Sequence, residues 1–371
     1  MESFTARPLR VGIVGAGIAG LALAGGLRRR GHDVEVFERA PRLMSVGAGI
    51  SIAPNAVGAL RRLGLAEAVL GDALARRDVA QGALLRPDGA VVLRVSGRRV
   101  NLLALTRPAL HAALGAQAGP VRLGVDAAVS PSGEPIVVVD GREHAYDVVL
   151  AADGARSPAR AALGLDPGLR YAGWTTWRGV TDEPFDLRGR VSETWGRGAV
   201  VGLVPLLGGH AYWFGAAHAP SNVTTADARK DALVRFGDWH APIRAVIEAT
   251  DARGVVRADA VELARGLTTY VRGRVALVGD AAHAMTPHLG QGANQAIVDA
   301  GALVRLLDAA DPRGVAAALR SYDRRRRPVA SAVTWGSLVV GRLSLAEGVG
   351  GRVRDGALAG VGTLTRLGRR A

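Results

Sequence analysis

RVGIVGAGIAGLALAGGLRRRGHDVEVFE, residues 10–38, decides the fold. RVGIV (Arg10–Val14) is an apolar run of strand length. Ile18 to Arg30 predicts a helix, with Gly31 placed to end it. Asp33 to Glu38 alternates polar and apolar residues as a second strand. Strand, glycine turn, helix and strand make a βαβ unit, so a parallel sheet is expected. In the turn GAGIAG, Gly15 permits the tight bend and Gly17 lets backbone approach a pyrophosphate. Gly20 allows the helix to pack closely on the strand. Ile18 and Ala19 belong to the first helical turn, whose free N–H groups and partial positive charge suit phosphates. Glu38 ends the second strand at the distance where a carboxylate accepts hydrogen bonds from a ribose diol. This is a dinucleotide site, and on its own it does not distinguish NAD from FAD.

Outward from this unit, Asn55 to Leu63 is an amphipathic helix. Leu84 to Val95 is a hairpin about Pro87-Asp88-Gly89. A helix starts near Arg107-Pro108, where proline suits the first turn. Ile136 to Gly154 is read as a second hairpin whose last strand ends in Asp153-Gly154. From Tyr171 to about Val261 the chain is strand-forming, with one helix from Thr225 to about Phe236. Five of the six tryptophans lie between Tyr171 and Trp239, an excess that suits a face built around a flat ligand. The α/β pattern then returns, with a strand at 274–279 and a helix from Gly292 to Leu307. Pro312 to Ala371 is helical and arginine-rich.

The fold class expected is α/β: a Rossmann-like domain, an inserted and mostly antiparallel β-sheet substrate domain, and a C-terminal helical segment. Residues 1–75, 101–170 and 268–330 form the discontinuous first domain. Residues 76–100 give strands to the substrate sheet, 171–267 form the substrate domain, and 331–371 are the C-terminal helices.

The 371 residues carry a net charge of +14, yet Lys230 is the only lysine and the arginines are scattered. The run Arg324–Arg327 reads as a solvated helix face, and no nucleic-acid motif is present. Absence of cysteine excludes disulfides and thiolate metal sites. His283 and His288 are five residues apart with no third ligand, so no metal is expected. The apolar stretch Val11–Leu27 turns glycine-rich and lacks a cleavage site, so it is not read as a signal peptide. Val329 to Val340 is too short to span a bilayer, which takes about 20 residues. A cytoplasmic monomer or homodimer is expected.

Two further motifs sit at strand ends: AADGARS (Ala151–Ser157) and GDAAHAMTPHLGQGAN (Gly279–Asn294). With GAGIAG, in this order, they resemble the FAD-dependent aromatic hydroxylases. These are the single-component flavoprotein monooxygenases similar to p-hydroxybenzoate hydroxylase, near the salicylate hydroxylase, urate hydroxylase and zeaxanthin epoxidase branch. The resemblance covers about residues 8–330. It implies that Asp280 binds a ribityl hydroxyl of non-covalent FAD and that Arg107 reaches the phosphate region. It places Arg39 on the adenosine side, Ser51 of GAGISIAPNA near the cofactor, and Asp153 in support of both FAD and a transient nicotinamide. The amides of Gly290, Gln291, Gly292, Ala293 and Asn294 would face the flavin's pyrimidine edge, where a helix N-terminus stabilises the reduced ring's negative charge. Pro287 stiffens the loop over the ring.

The reaction implied uses NADH or NADPH and O2 to hydroxylate or epoxidise an aromatic or other electron-rich, mostly apolar molecule through a flavin C4a-hydroperoxide. There is no second strand-GxGxxG-helix, so nicotinamide binds without its own Rossmann domain. The GAGISIAPN loop would then be a mobile neighbour of the flavin. Trp174, Thr176 and Arg178 share one strand face, and Arg178 and Tyr212 are the substrate-side candidates. Val200 stands where urate-hydroxylating relatives have arginine, which argues against urate. Two other readings stay open. One is a flavin-dependent halogenase, for which Lys230 is the only candidate tunnel lysine. The other is a redox-silent FAD-binding partner protein.

Overall fold

The computed structural model describes residues 7–43, 48–74, 81–96 and 102–367. β1 (Arg10–Val14) is central in its sheet and buried from Val11 onward. Its Val and Ile side chains face helices on both sides, the pattern of a parallel strand. α1 (Ile18–Arg28) ends two residues before the expected Arg30, because Arg29 already caps it and Gly31 turns the chain at φ 81°. β2 (Asp33–Glu38) pairs parallel with β1.

A two-stranded ribbon follows, made by β3 (Gly49–Ile52) and β6 (Leu103–Thr106). Between them lie α2 (Pro54–Leu63), α3 (Ala66–Leu70) and the hairpin β4 (Gln81–Leu85)/β5 (Val91–Ser96). The ribbon leads into α4 (Arg107–Ala118), capped by Thr106. β7 (Arg122–Leu123) lies at the edge of the parallel sheet and β8 (Ala127–Val129) in a small separate one.

The second expected hairpin divides. β9 (Ile136–Val139) and β10 (Arg142–Ala145) turn about Asp140-Gly141, but β11 (Val148–Ala151) leaves them and pairs parallel with β1. All four β11 residues are buried. An uninterrupted apolar run belongs at a sheet centre, not in an exposed hairpin.

After α5 (Pro158–Ala162) come β12 (Leu169–Val180), β13 (Arg190–Trp195), β14 (Ala199–Pro205) and β15 (Ala211–His218). α6 (Ala228–Phe236), α7 (Ala241–Glu248) and β16 (Val256–Leu263) complete this segment. Its seven-stranded sheet runs β16-β12-β15-β14-β13-β4-β5, antiparallel except where β4 meets β13. α6 and α7 cover one face, over a core of Trp177, Trp213, Phe236, Ile243 and Ile247. The aromatic excess therefore serves two purposes, because Trp177, Trp213 and Phe236 fill this back core while Trp174, Tyr212 and Phe214 lie on the opposite face.

β17 (Val271–Arg272) and β18 (Val275–Leu277) return the chain to the parallel sheet, where β18 pairs with β11. α8 (Asp280–His283), α9 (Gly292–Asp308), α10 (Val315–Ser344) and α11 (Gly348–Leu367) follow. α10 runs unbroken through residues 330–331, where the sequence reading divides the chain. Among the described residues, no single helix is long and apolar enough to cross a membrane.

Candidate active site

Four glycine-bearing stretches meet at the ends of β1, β11 and β18. Gly15, at φ 99°, lies against the Ala152 carbonyl, and an added Cβ there would stand 3.0 Å from the Asp153 Cα. Gly20 lies on the Gly15 carbonyl with no room for a side chain. Gly279 is wedged between Ala19 of α1 and Ala296 of α9; a Cβ there would come within 3.2 Å and 3.1 Å of theirs. GAGIAG, Asp153-Gly154, Gly279-Asp280 and the α9 start are thus brought together, although they are remote in sequence. Ile18 and Ala19 are buried in the first turn of α1.

The glycines in front of them leave the backbone open to a ligand. A Cβ at Gly17, Gly154 or Gly290 would meet no atom within 4 Å. The first-turn amides of α1 have no partner inside their helix. Asp153 Oδ2 accepts the Ala159 amide at 2.9 Å, while its Oδ1 is buried with no protein partner among the described residues. Burial pushes the Asp153 carboxyl above its usual range, against the hydrogen bonds from Ser157 and the Ala159 amide. Asp153 is therefore a cap on α5 with one oxygen left for a ligand. Glu38 holds the glycine loop itself, accepting the Ala16 amide at 2.8 Å and the Ala40 amide at 2.9 Å. Arg39 beside it is exposed.

Asp280 is exposed at the start of α8, and a Cβ on Gly292 would stand 3.8 Å from its Oδ1. Asn294 is buried and ties the start of α9 to the ribbon. Its Nδ2 donates to the Ser51 carbonyl at 2.9 Å and to the Gly290 carbonyl at 2.7 Å; its Oδ1 accepts the Ala53 amide at 2.9 Å. Gln291 accepts from Asn55 Nδ2 at 3.1 Å. Gly292 and Ala293 form the first turn of α9. Of the loop expected to be mobile, Gly47 lies outside the described residues; Ser51 belongs to regular β3.

The turn Pro287–Leu289 is fastened to α10, where Ser337 Oγ donates to the Thr286 carbonyl at 2.6 Å. This turn faces the sheet face that carries Trp174 and Arg178. His288 sits edge-on to Trp174, with ring centroids 4.9 Å apart. Among the described residues neither of its nitrogens has a protein partner, nor does Trp174 Nε1. Burial and the nearby Arg178 push His288 down to about 4, so the ring is neutral at physiological pH. Tyr212 stands against Gly49 of the ribbon. Burial raises its phenol, against the opposing influence of Arg178 and Arg107. Arg107 thus stands beside Tyr212 at the start of α4.

Behind the cofactor-side motifs lies a buried charge cluster. His283 Nε2 is 2.6 Å from Asp299 Oδ2, Arg326 Nε is 2.7 Å from Asp299 Oδ1, and Arg326 also donates to Gln295 at 2.6 Å. Burial alone would raise Asp299, but His283 and Arg326 hold it below the ordinary carboxylate range. Burial likewise opposes the His283 cation, and Asp299 outweighs it. Arg326 is buried, unlike its neighbours Arg324 and Arg325, which corrects the solvated-face reading of that run. Its partner is 27 residues away, beyond any local charge pattern. Sequence reasoning also missed His111, whose Nε2 lies 2.8 Å from the Ala16 carbonyl, and Glu193 on the sheet face. A position fixed by distant strand pairing carries no local signature.

Lys230 is a surface residue of α6, its side chain 79% exposed and 3.9 Å from Asp227. It lines no tunnel, which removes the basis of the halogenase reading. Among the described residues there is no metal-ligating group of three or more side chains.

The profile of a family described as "FAD binding domain" matches residues 8–337. The chain is 39% identical over 348 residues to aurachin C monooxygenase/isomerase of Stigmatella aurantiaca, covering 90% of this chain and 89% of that protein. It is 33% identical to 2-heptyl-3-hydroxy-4(1H)-quinolone synthase of Pseudomonas aeruginosa, covering 89% and 88%. The structure of Klebsiella pneumoniae HpxO with FAD and uric acid superposes with a TM-score of 0.80 at 27% identity, over 94% of this chain and 96% of that one. The chain therefore belongs to the FAD-binding-domain family and is an FAD-dependent monooxygenase of the aromatic hydroxylase type.

Proposed function

We propose that this enzyme hydroxylates a flat, electron-rich ring held between the Trp174–Arg178 sheet face and the Pro287–Gly292 turn, with NADH or NADPH as reductant. The observation that carries this reading is that face itself. Trp174, Arg178, Tyr212 and Phe214 project from adjacent strands, opposite a turn anchored from α10. When bound, FAD supplies the redox chemistry: two electrons from the nicotinamide and one oxygen atom of O2 delivered to the substrate, the other leaving as water.

The protein's part is binding and shielding. Gly15, Gly17 and Gly20 admit the pyrophosphate to the α1 N-terminus. Glu38 and Arg39 flank the adenosine end, and Asp153 Oδ1 accepts from a hydroxyl or amide donor. Asp280 accepts a ribityl hydroxyl. The α9 N-terminus, from Gly290 to Asn294, stabilises negative charge at the ring edge. Asn294 holds Ser51 and Gly290 in register around it. Pro287 lacks an N–H, so the turn has no backbone donor at that one position. Arg178 orients an oxygen of the substrate, and Tyr212 backs the ribbon. Asp153 and Arg107 border the entry for the nicotinamide.

The test is the rate of NADH and NADPH oxidation by the FAD-loaded protein with a panel of phenols, quinolones and other aromatics. One class is expected to accelerate oxidation with matching product. Failure of every aromatic to raise the rate above the ligand-free value contradicts the reading.

A further inference from the structure

Strand register arranges the open sheet face in rows. Arg178 lies directly across from Phe214, Phe214 across from Gly202, and Gly202 across from Glu193. The row on one side holds Tyr212 and Val204, packed under Ala48 and Ala104 of the ribbon region. The row on the other side holds Ala216 and Val200, packed under Leu345 beyond α10. The middle row lies between these two packed clusters, and Arg178, Phe214 and Glu193 in it keep partial exposure. Gly202 has no room for a side chain because the Phe214 ring lies over it. The row is therefore a slot with an aromatic floor, a guanidinium at one end and a carboxyl at the other. Three strand spacings separate the ends, roughly 14 Å between backbones.

Neither end group has a charged partner among the described residues. Arg170, Arg257 and Arg326 pair with Glu262, Asp231 and Asp299, whereas Arg178 has no protein partner among the described residues. Among the described residues Glu193 accepts only from Trp195 Nε1, at 2.9 Å, which leaves its other oxygen without a partner there. Arg354 of α11 stacks over Trp195 but gives its donors to Asp355 and to the Gly196, Leu343 and Ser344 carbonyls. Burial pushes the Glu193 carboxyl up, against the Trp195 hydrogen bond, and polar groups left without a partner at the two ends of one slot are costly unless a ligand completes them.

We infer that Arg178 and Glu193 read opposite edges of the substrate. Its ring lies on Phe214, a carbonyl or phenolate oxygen meets Arg178, and a ring N–H donates to Glu193. The chemical class is a flat nitrogen heteroaromatic with an oxygen acceptor on one edge and an N–H on the other, as in a 4-quinolone. A benzoate or salicylate supplies the acceptor but no opposing donor. This assignment rests on the proposed function and adds the substrate class to it.

The probes are 4-quinolone and N-methyl-4-quinolone, in which a methyl group replaces the N–H donor. Each is titrated into FAD-loaded protein while the flavin absorbance is followed. Wild type is expected to bind 4-quinolone about tenfold to a hundredfold more tightly than the N-methyl compound, the usual discrimination of a charged hydrogen bond. Glu193→Ala should remove that preference, and Glu193→Gln, whose amide oxygen still accepts, should retain part of it. Arg178→Met should weaken both probes alike. Flavin content of each purified variant reports whether fold and cofactor site survive. Equal wild-type affinity for the two probes, or a preference unchanged in Glu193→Ala, overturns the assignment. If some other aromatic then drives NAD(P)H oxidation, the proposed function stands without it.

Discussion

Arg326 of α10 places its Nε 2.7 Å from the carboxylate of Asp299 in α9, with both side chains buried. Asp299 Oδ2 also accepts the Gly279 amide at 3.1 Å, and Arg326 reaches Gln295, whose Nε2 lies 3.2 Å from Gln291 Oε1. One ion pair therefore steadies both the Gly279-Asp280 turn and the start of α9. Breaking one partner of a buried pair leaves a charge uncompensated and costs about 3–5 kcal/mol. Arg326→Met is expected to lower the melting temperature by that equivalent and to yield protein with depleted flavin. A variant with wild-type melting and flavin content contradicts this role.

The same cluster sets a pH window. Asp299 has a folded value below its ordinary 3.8, so its contribution is complete above that value and is lost as pH falls through the depressed one. His283 has a folded value above its ordinary 6.5, so its contribution is complete below that value and is lost as pH rises through the raised one. Asp280 adds to the rise and Arg326 opposes it. From 6.5 upward, the melting temperature of wild type should fall more steeply than that of His283→Gln. Parallel slopes on the alkaline side would show that His283 does not carry this linkage.

Gly17 and Gly20 separate cofactor binding from folding. A methyl group at Gly17 enters open space, whereas at Gly20 it strikes the Gly15 carbonyl. Gly17→Ala should fold with near-normal melting and lose affinity for FAD, measured by fluorescence quenching of added flavin. Gly20→Ala should lose about 1–3 kcal/mol of stability by overpacking. If both variants bind FAD as wild type does, the pyrophosphate does not lie against this loop.

Neighbouring residues Trp213 and Phe214 point to opposite sides of β15. Trp213 is fully buried against α6 and α7 and donates to Thr250 Oγ1 at 3.0 Å. Trp213→Ala should cost about 3–5 kcal/mol of stability. Phe214→Leu should leave melting nearly unchanged and raise KM for the aromatic substrate. Equal thermal damage from both substitutions would contradict the assignment of faces.

The βαβ opening was legible because periodicity, glycine spacing and Glu38 all lie within one short stretch. The late helix was legible for the same reason, and its observed span, Gly292–Asp308, extends the expected Gly292–Leu307 by one residue. Alternation along β12 also placed Trp174, Thr176 and Arg178 on one face correctly. What stayed hidden depends on register and long-range pairing. Glu193 joins the slot only because β13, β14 and β15 pair in one alignment, and a slip of one residue would turn it away. Arg326 looks like its solvated neighbours until α9 is packed against it. β11 resembles a hairpin strand until the demand for a buried centre beside β1 draws it into the parallel sheet.

Transfer of oxygen from O2 to a ring is tested most directly with isotopically labelled dioxygen. The FAD-loaded protein, NADPH and the aromatic that best stimulates its oxidation are incubated under the labelled gas, and the product is weighed by mass spectrometry. One labelled oxygen atom per product molecule, with one NADPH consumed for each, is the expected result. Product whose new oxygen comes from water, or NADPH oxidation that yields only hydrogen peroxide with every aromatic tried, would contradict monooxygenation by this chain.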